Sequence, residues 1–252
     1  MRSVSHFSSV VLLLFLTLFI GCSKDDENPS VATINSTIVP NDFLSGQKYN
    51  ELTIEIKYVE SFAPSATALD NLKSFLQARL NKPSGITFIQ SSVVSPGKAT
   101  LTFSDIQNLE KTNRDFAVNN KKLVAYIYFA DADFSGNTDT TKVLGVAYGN
   151  SSMVVFEKSI KNLSGGFGKP SATVLESIVL DHEFSHILGL VNNGTTMQTP
   201  HQDPEHGNHC SNSSCLMNYK TESSRMIANL SGGTIPSLDA NCLADLKANG
   251  GK

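Results

Sequence analysis

Residues 181–190 read DHEFSHILGL, and residues 209–219 read HCSNSSCLMNY. His182 and His186 are four apart, so on a helix both project from one face, as two ligands of one metal ion require. Glu183 stands beside the first histidine, where a carboxylate reaches a metal-bound water without ligating the metal. The apolar positions Val174, Leu175, Ile178, Val179, Ile187 and Leu188 predict a buried helix from Ser171 that carries this motif. Gly189 suits its end, because glycine tolerates the left-handed conformation there. Unpaired histidines and a glutamate are expensive in so apolar a helix, and metal ligation removes that cost.

Upstream, residues 123–130 (LVAYIYFA) are almost continuously apolar and predict a central strand covered on both faces. Residues 51–59 (ELTIEIKYV) alternate Leu52, Ile54, Ile56 and Tyr58 with polar neighbours, which predicts a half-buried first strand. Leu69, Leu72, Phe75, Leu76 and Leu80 follow helical spacing until the breaker run KPSG at 82–85. Residues 86–94 and 99–103 predict strands around Pro96-Gly97, and Ser104 with Gln107 a capping box opening a short helix to about Asn113. Residues 143–148 and 153–156 predict two more strands, the first at a sheet edge open to an extended peptide. Residues 237–248 predict a closing helix with Leu243 and Leu246 inward. Asp131, Asp133 and Asp139 offer carboxylates for calcium, but their spacing departs from an EF-hand loop and a solvated turn is expected. The expected fold class is α/β (α+β), with an N-terminal subdomain at 49–190 and a small irregular C-terminal one at 191–252.

At 252 residues the chain suits one medium domain plus an export segment. A net charge of −3 without a long basic cluster gives no reason to expect nucleic acid. Arg2, the apolar run 10–20 and Gly21-Cys22 predict a signal peptide at 1–21, the run being too short to span a bilayer. The small residue before Cys22 resembles a bacterial lipobox, which makes Cys22 the lipidated first residue. The following SKDDE at 23–27 resembles the acidic tag of Bacteroidetes surface lipoproteins. Residues 22–48 then form a tether, and the expected location is the outer membrane, cell-surface side, with membrane contact through lipid only. Cys210, Cys215 and Cys242 remain, enough for one disulfide and one thiol; Cys210–Cys215 is the nearest pair, and Cys242 suits either.

A catalytic zinc site takes three protein ligands and keeps one open position. His201, His206 and His209 are candidates for the third, and Glu205 is a carboxylate alternative. With Gly189 the motif becomes H-E-x-x-H-x-x-G, which resembles the metzincin peptidases, although Asn192 stands where that family places its third histidine. His209-Cys210, four residues, then Cys215-Leu216-Met217 is similar to the archaemetzincins, after an insertion of the kind leishmanolysin-like metzincins also carry. The resemblance implies a twisted mixed sheet, an active-site helix and a second backing helix. It ranks His209 first as third ligand, then His201 and His206, makes Met217 the Met-turn methionine, and likens Tyr219 to the astacin and serralysin tyrosine. That family's second cysteine pair is represented only by Cys242, so a disulfide is expected rather than a second zinc. The implied activity is a zinc endopeptidase acting on peptide or protein substrates, with Glu183 as general base to a zinc-activated water. Two other readings stand beside it: a non-catalytic lipoprotein that binds glycan or protein around a structural zinc, and a zinc hydrolase of other amides or esters. Glu183 argues against the former, because a closed site needs no general base.

Overall fold

A computed structural model describes residues 38–224 and 233–252; the expected signal peptide, Cys22 and residues 23–37 lie outside these. Along the chain run α1 (Pro40–Leu44), β1 (Glu51–Val59), α2 (Ala66–Gln77), β2 (Ile86–Val93), β3 (Thr100–Leu101), α3 (Phe103–Asn113), β4 (Lys122–Phe129), β5 (Asp133–Phe134), β6 (Gly145–Tyr148), β7 (Ser152–Val155), α4 (Glu157–Leu163), α5 (Ala172–Ile187) and α6 (Ala240–Ala248). The main sheet is mixed, in the order β2-β1-β4-β7-β6, with the first four strands parallel and β6 antiparallel to β7 at the edge. β3 and β5 form a separate short ladder. No helix among the described residues is long and apolar enough to cross a membrane.

Alternation along β4 builds both layers. Leu123, Ala125, Ile127 and Phe129 join the core under α2 and α5, while Tyr126 and Tyr128 join Leu101 and Ile106 on the other side. α5 is the central helix, and from Leu175 to Ile187 every residue is buried except His186, which is half-buried. α2 packs along it as the backing helix.

Four expectations need correction. β1 is buried on both faces, because Glu55 accepts N–H bonds from Asp115 (2.6 Å) and Phe116 (3.1 Å), and Lys57 pairs with Asp115 and donates to Ser91 at 2.8 Å. Its polar residues read as solvent-facing, but chain after α3 covers them. The cap of α3 is Thr102 with Asp105, not Ser104 with Gln107, so the helix begins at Phe103, inside the expected strand. Leu246 is buried but Leu243 is 42% exposed, since α6 turns that side to solvent. Finally, the fold extends into the stretch read as tether. Ile38, Phe43 and Leu44 are buried, and the Phe43 ring meets Phe184 of α5 edge-on at 5.8 Å. The short helix α4 was not expected at all.

Candidate metal centres

Ser171 caps α5 by accepting the N–H of Val174 at 3.2 Å, and the helix then carries His182 and His186 side by side. Their Nε2 atoms lie 3.1 Å apart. His209 arrives from the segment beyond the helix, its ring centroid 5.4 Å from that of His182 and 5.1 Å from that of His186. The three offer ligand atoms within 4.8 Å of one another.

Hydrogen bonds set the tautomers. A carbonyl oxygen can only accept, so His182 donates from Nδ1 to Leu216 O (2.8 Å) and His209 donates from Nδ1 to His206 O (2.7 Å). Both rings therefore turn Nε2 toward the shared point. Burial, then the neighbouring His182 and His209, hold His186 well below the usual imidazole range, in the neutral form that binds metals. Zinc–nitrogen bonds of about 2.0–2.1 Å in a tetrahedron put ligand nitrogens roughly 3.3 Å apart, so the donor set and spacing fit zinc.

Glu183 belongs to the same face. Its Oε2 accepts the N–H of Ala147, on the edge strand β6, at 2.7 Å. Gly145 makes this approach possible: a Cβ there would lie 2.7 Å from Glu183 Cγ and 2.6 Å from Val179 Cγ1. A cleft of about 450 Å³ opens over this face, lined by Gly145, Val146, Ala147, Glu183, His186 and His209 among others. A second hollow of about 390 Å³ shares Ala147 and His186 with it and is walled by Ile38, Val39 and Pro40.

Gly189 has φ +77°, and a Cβ would meet Pro40 Cγ at 2.5 Å, so only glycine fits both the turn and the N-terminal segment. Asn192 follows in the left-handed region (φ 63°), and its side-chain amide donates to Gln202 Oε1 at 3.3 Å.

A second group lies behind the first. His201, Cys210, Asp239 and Cys242 offer ligand atoms within 4.8 Å, and Cys215 Sγ is 3.7 Å from Cys242 Sγ. The expected Cys210–Cys215 disulfide is absent, and all three cysteines are free and buried. The expectation failed because His201 and Asp239, distant in sequence, complete a donor set that the cysteine count alone cannot reveal. His201 pairs through Nε2 with buried Asp245 at 2.7 Å, which turns Nδ1 toward Cys210 Sγ (3.4 Å) and Cys242 Sγ (4.0 Å). Cys242, then the N–H groups of Asp239 and Met217, draw the Cys215 thiol down to about 7 against the opposing effect of burial. Zinc–sulfur bonds of about 2.3 Å put sulfurs roughly 3.8 Å apart, so this group also fits zinc.

His201 thus sits in the second group rather than the first. His206 and Glu205 are in neither: His206 bonds Asp203 at 2.8 Å, and Glu205 is exposed. Tyr219 stacks on the His206 ring, with centroids 3.5 Å apart. Met217 is fully buried and accepts the Cys210 N–H at 2.7 Å through its carbonyl. In the acidic loop, Asp131 bonds Ser95, and Asp133 bonds Ser159 and pairs with Lys158. Sequence reasoning missed Gly145, Ala147, Asp239 and Asp245. A glycine inside a strand is a signal of close backbone approach, but nothing local marked the others.

No protein-family profile and no curated protein sequence matches the chain. Among solved structures it is similar to a zinc-dependent peptidase from Methanocorpusculum labreanum, at 15% identity and TM-score 0.49, over 77% of this chain and 99% of that one. It is also similar to an archaemetzincin from Methanopyrus kandleri, at 15% identity and TM-score 0.47, over 79% and 96% of the two chains.

Proposed function

We propose that this protein is a zinc-dependent endopeptidase of metzincin type. The observation that carries the reading is the convergence of His182, His186 and His209 beneath a cleft whose edge strand holds the Glu183 carboxylate. Zinc bound there supplies a Lewis acid that acidifies water and polarises a carbonyl. Glu183 accepts the proton of the attacking water and passes it to the leaving amine. The Ala147 N–H keeps the carboxylate aimed, which lowers the orientational cost of that transfer. The outer edge of β6 aligns an extended peptide along the cleft.

The second group is a closed structural zinc site of His201, Cys210, Cys242 and Cys215, a Cys₃His set. Asp239 is already committed to capping α6 through the Cys242 N–H at 2.9 Å. The buried Asp245 orients His201, as carboxylates behind metal-binding histidines do. Arg2, the apolar run 10–20 and Cys22 support display as an outer-membrane lipoprotein.

Incubating the soluble zinc-loaded chain with a diverse peptide library, beside Glu183→Ala, tests the activity. Cleavage that disappears in the variant while zinc stays bound supports the peptidase. No cleavage by either protein, with zinc retained in both, sinks it in favour of a zinc-stapled binding protein. Fatty-acid labelling that persists in Cys22→Ser would refute the anchor.

A further inference from the structure

The two metal groups share their backbone. His209 and Cys210 are consecutive, yet one joins the histidine group and the other the thiolate group. Cys215 and Leu216 repeat the arrangement, because the carbonyl of Leu216 orients His182 while Cys215 touches Cys242. No helix or strand runs through the described residues between α5 and Tyr219, so regular structure does not place His209. What places it is a strap: a bridge between Gln202 and Cys210, Asp203 N–H to His209 O at 2.7 Å, and Ser211 N–H to His201 O at 2.9 Å. The strap is pinned to α6 where His201 meets Asp245, whose other oxygen accepts the N–H of Gln198 at 2.6 Å.

We propose that His201, Cys210, Cys242 and Asp245 are positioning residues for His209, so that metal in the thiolate group tightens metal binding by the histidine group. This rests on the zinc readings of both groups given above. The physical reason is the narrow tolerance of coordination. A ligand delivered by irregular chain is displaced when its anchor loosens, and losing one of three protein ligands weakens binding steeply. Because coupling free energies are reciprocal, metal on the histidines also tightens metal binding by the thiolate group.

The test is a Co²⁺ titration of the metal-free full chain under reducing conditions, followed by absorption and equilibrium dialysis. Thiolate coordination gives an intense near-ultraviolet charge-transfer band that three histidines cannot. In the unmodified chain the charge-transfer phase completes first, and a second equivalent then binds without further charge transfer. Cys242→Ser and Asp245→Asn each lower the affinity of the histidine group by roughly 10- to 100-fold. His186→Ala abolishes the second phase but leaves the first at its original midpoint, since that phase fills while the histidine group is vacant. If Cys242→Ser does not fold, as judged by circular dichroism, Asp245→Asn decides, because it keeps every ligand. Unchanged histidine-group affinity in the folded variants overturns the coupling and leaves both zinc readings standing. Absence of charge transfer in the unmodified chain removes the thiolate site, and the coupling with it. Absence of the second phase there removes the histidine site and the peptidase reading together.

Discussion

Glu183 and Gly145 form one contact, and substitutions on its two sides separate chemistry from geometry. Glu183→Gln keeps the shape but cannot accept a proton, so peptide cleavage should fall by about 10²–10⁴-fold with zinc content unchanged, measured as kcat/KM beside metal analysis. Gly145→Ala inserts a methyl between Val179 and Glu183, where a Cβ has 2.6 Å and 2.7 Å of room. It should cost about 1–3 kcal/mol by overpacking and reduce kcat more than zinc affinity, because it moves the carboxylate rather than a ligand. Chemical denaturation and metal titration of the same variant check the two halves. The pattern H-E-x-x-H was legible in the chain, since helical spacing alone puts both rings on one face. The grip of Ala147 on Glu183 was not, because no local rule joins residues that distant in sequence.

At the scale of elements, α4 and α5 bury Glu157 and Glu176 near each other. Burial, then the neighbouring Glu176, pushes Glu157 up to about 8, with Lys161 opposing from 4.0 Å. Burial pushes Glu176 up to about 7, against the Ser65 N–H (2.8 Å) and Lys161. Both carboxyls bind protons more tightly folded than unfolded, so their stabilisation is complete below the ordinary value of 4.5 and is lost as pH rises through about 7 to 8. Glu157→Gln should raise Tm at pH 8.5, by about 2–4 °C per kcal/mol recovered, and leave it little changed near pH 4.5. Equal Tm shifts at both pH values would refute this account. The edge position of β6 was readable from the order of turn residues and short strands. β6 runs antiparallel to β7 at that edge, where the outer N–H of Ala147 meets Glu183.

For the whole molecule, two metal groups predict two zinc ions per chain, and their removal should matter unequally. Structural zinc binding is folding free energy, so stripping the thiolate group should lower Tm by many degrees. Stripping only the histidine group with a weak chelator should abolish cleavage at a smaller thermal cost. Scanning calorimetry with parallel zinc analysis distinguishes the two. A single zinc per chain at saturation would contradict the two-centre account.

Periodicity and local chemistry are short-range properties, and the chain alone carried what depends on them. The continuous apolar run of β4 announced a strand covered on both faces, and the apolar surround of His182 and His186 announced a buried helix that presents both rings on one face. The end of that helix at Gly189 followed from the same kind of rule. What only tertiary structure decided depended on who meets whom. His201 was a candidate for the catalytic group until Asp245 and Cys242, over forty residues later in helix α6, drew it into another. Cys210 and Cys215 looked like a disulfide because proximity in sequence was the only distance available. The buried polar side of β1 was invisible for the same reason. Long-range partners, rather than local propensity, choose which donors share a metal and which charges can be buried.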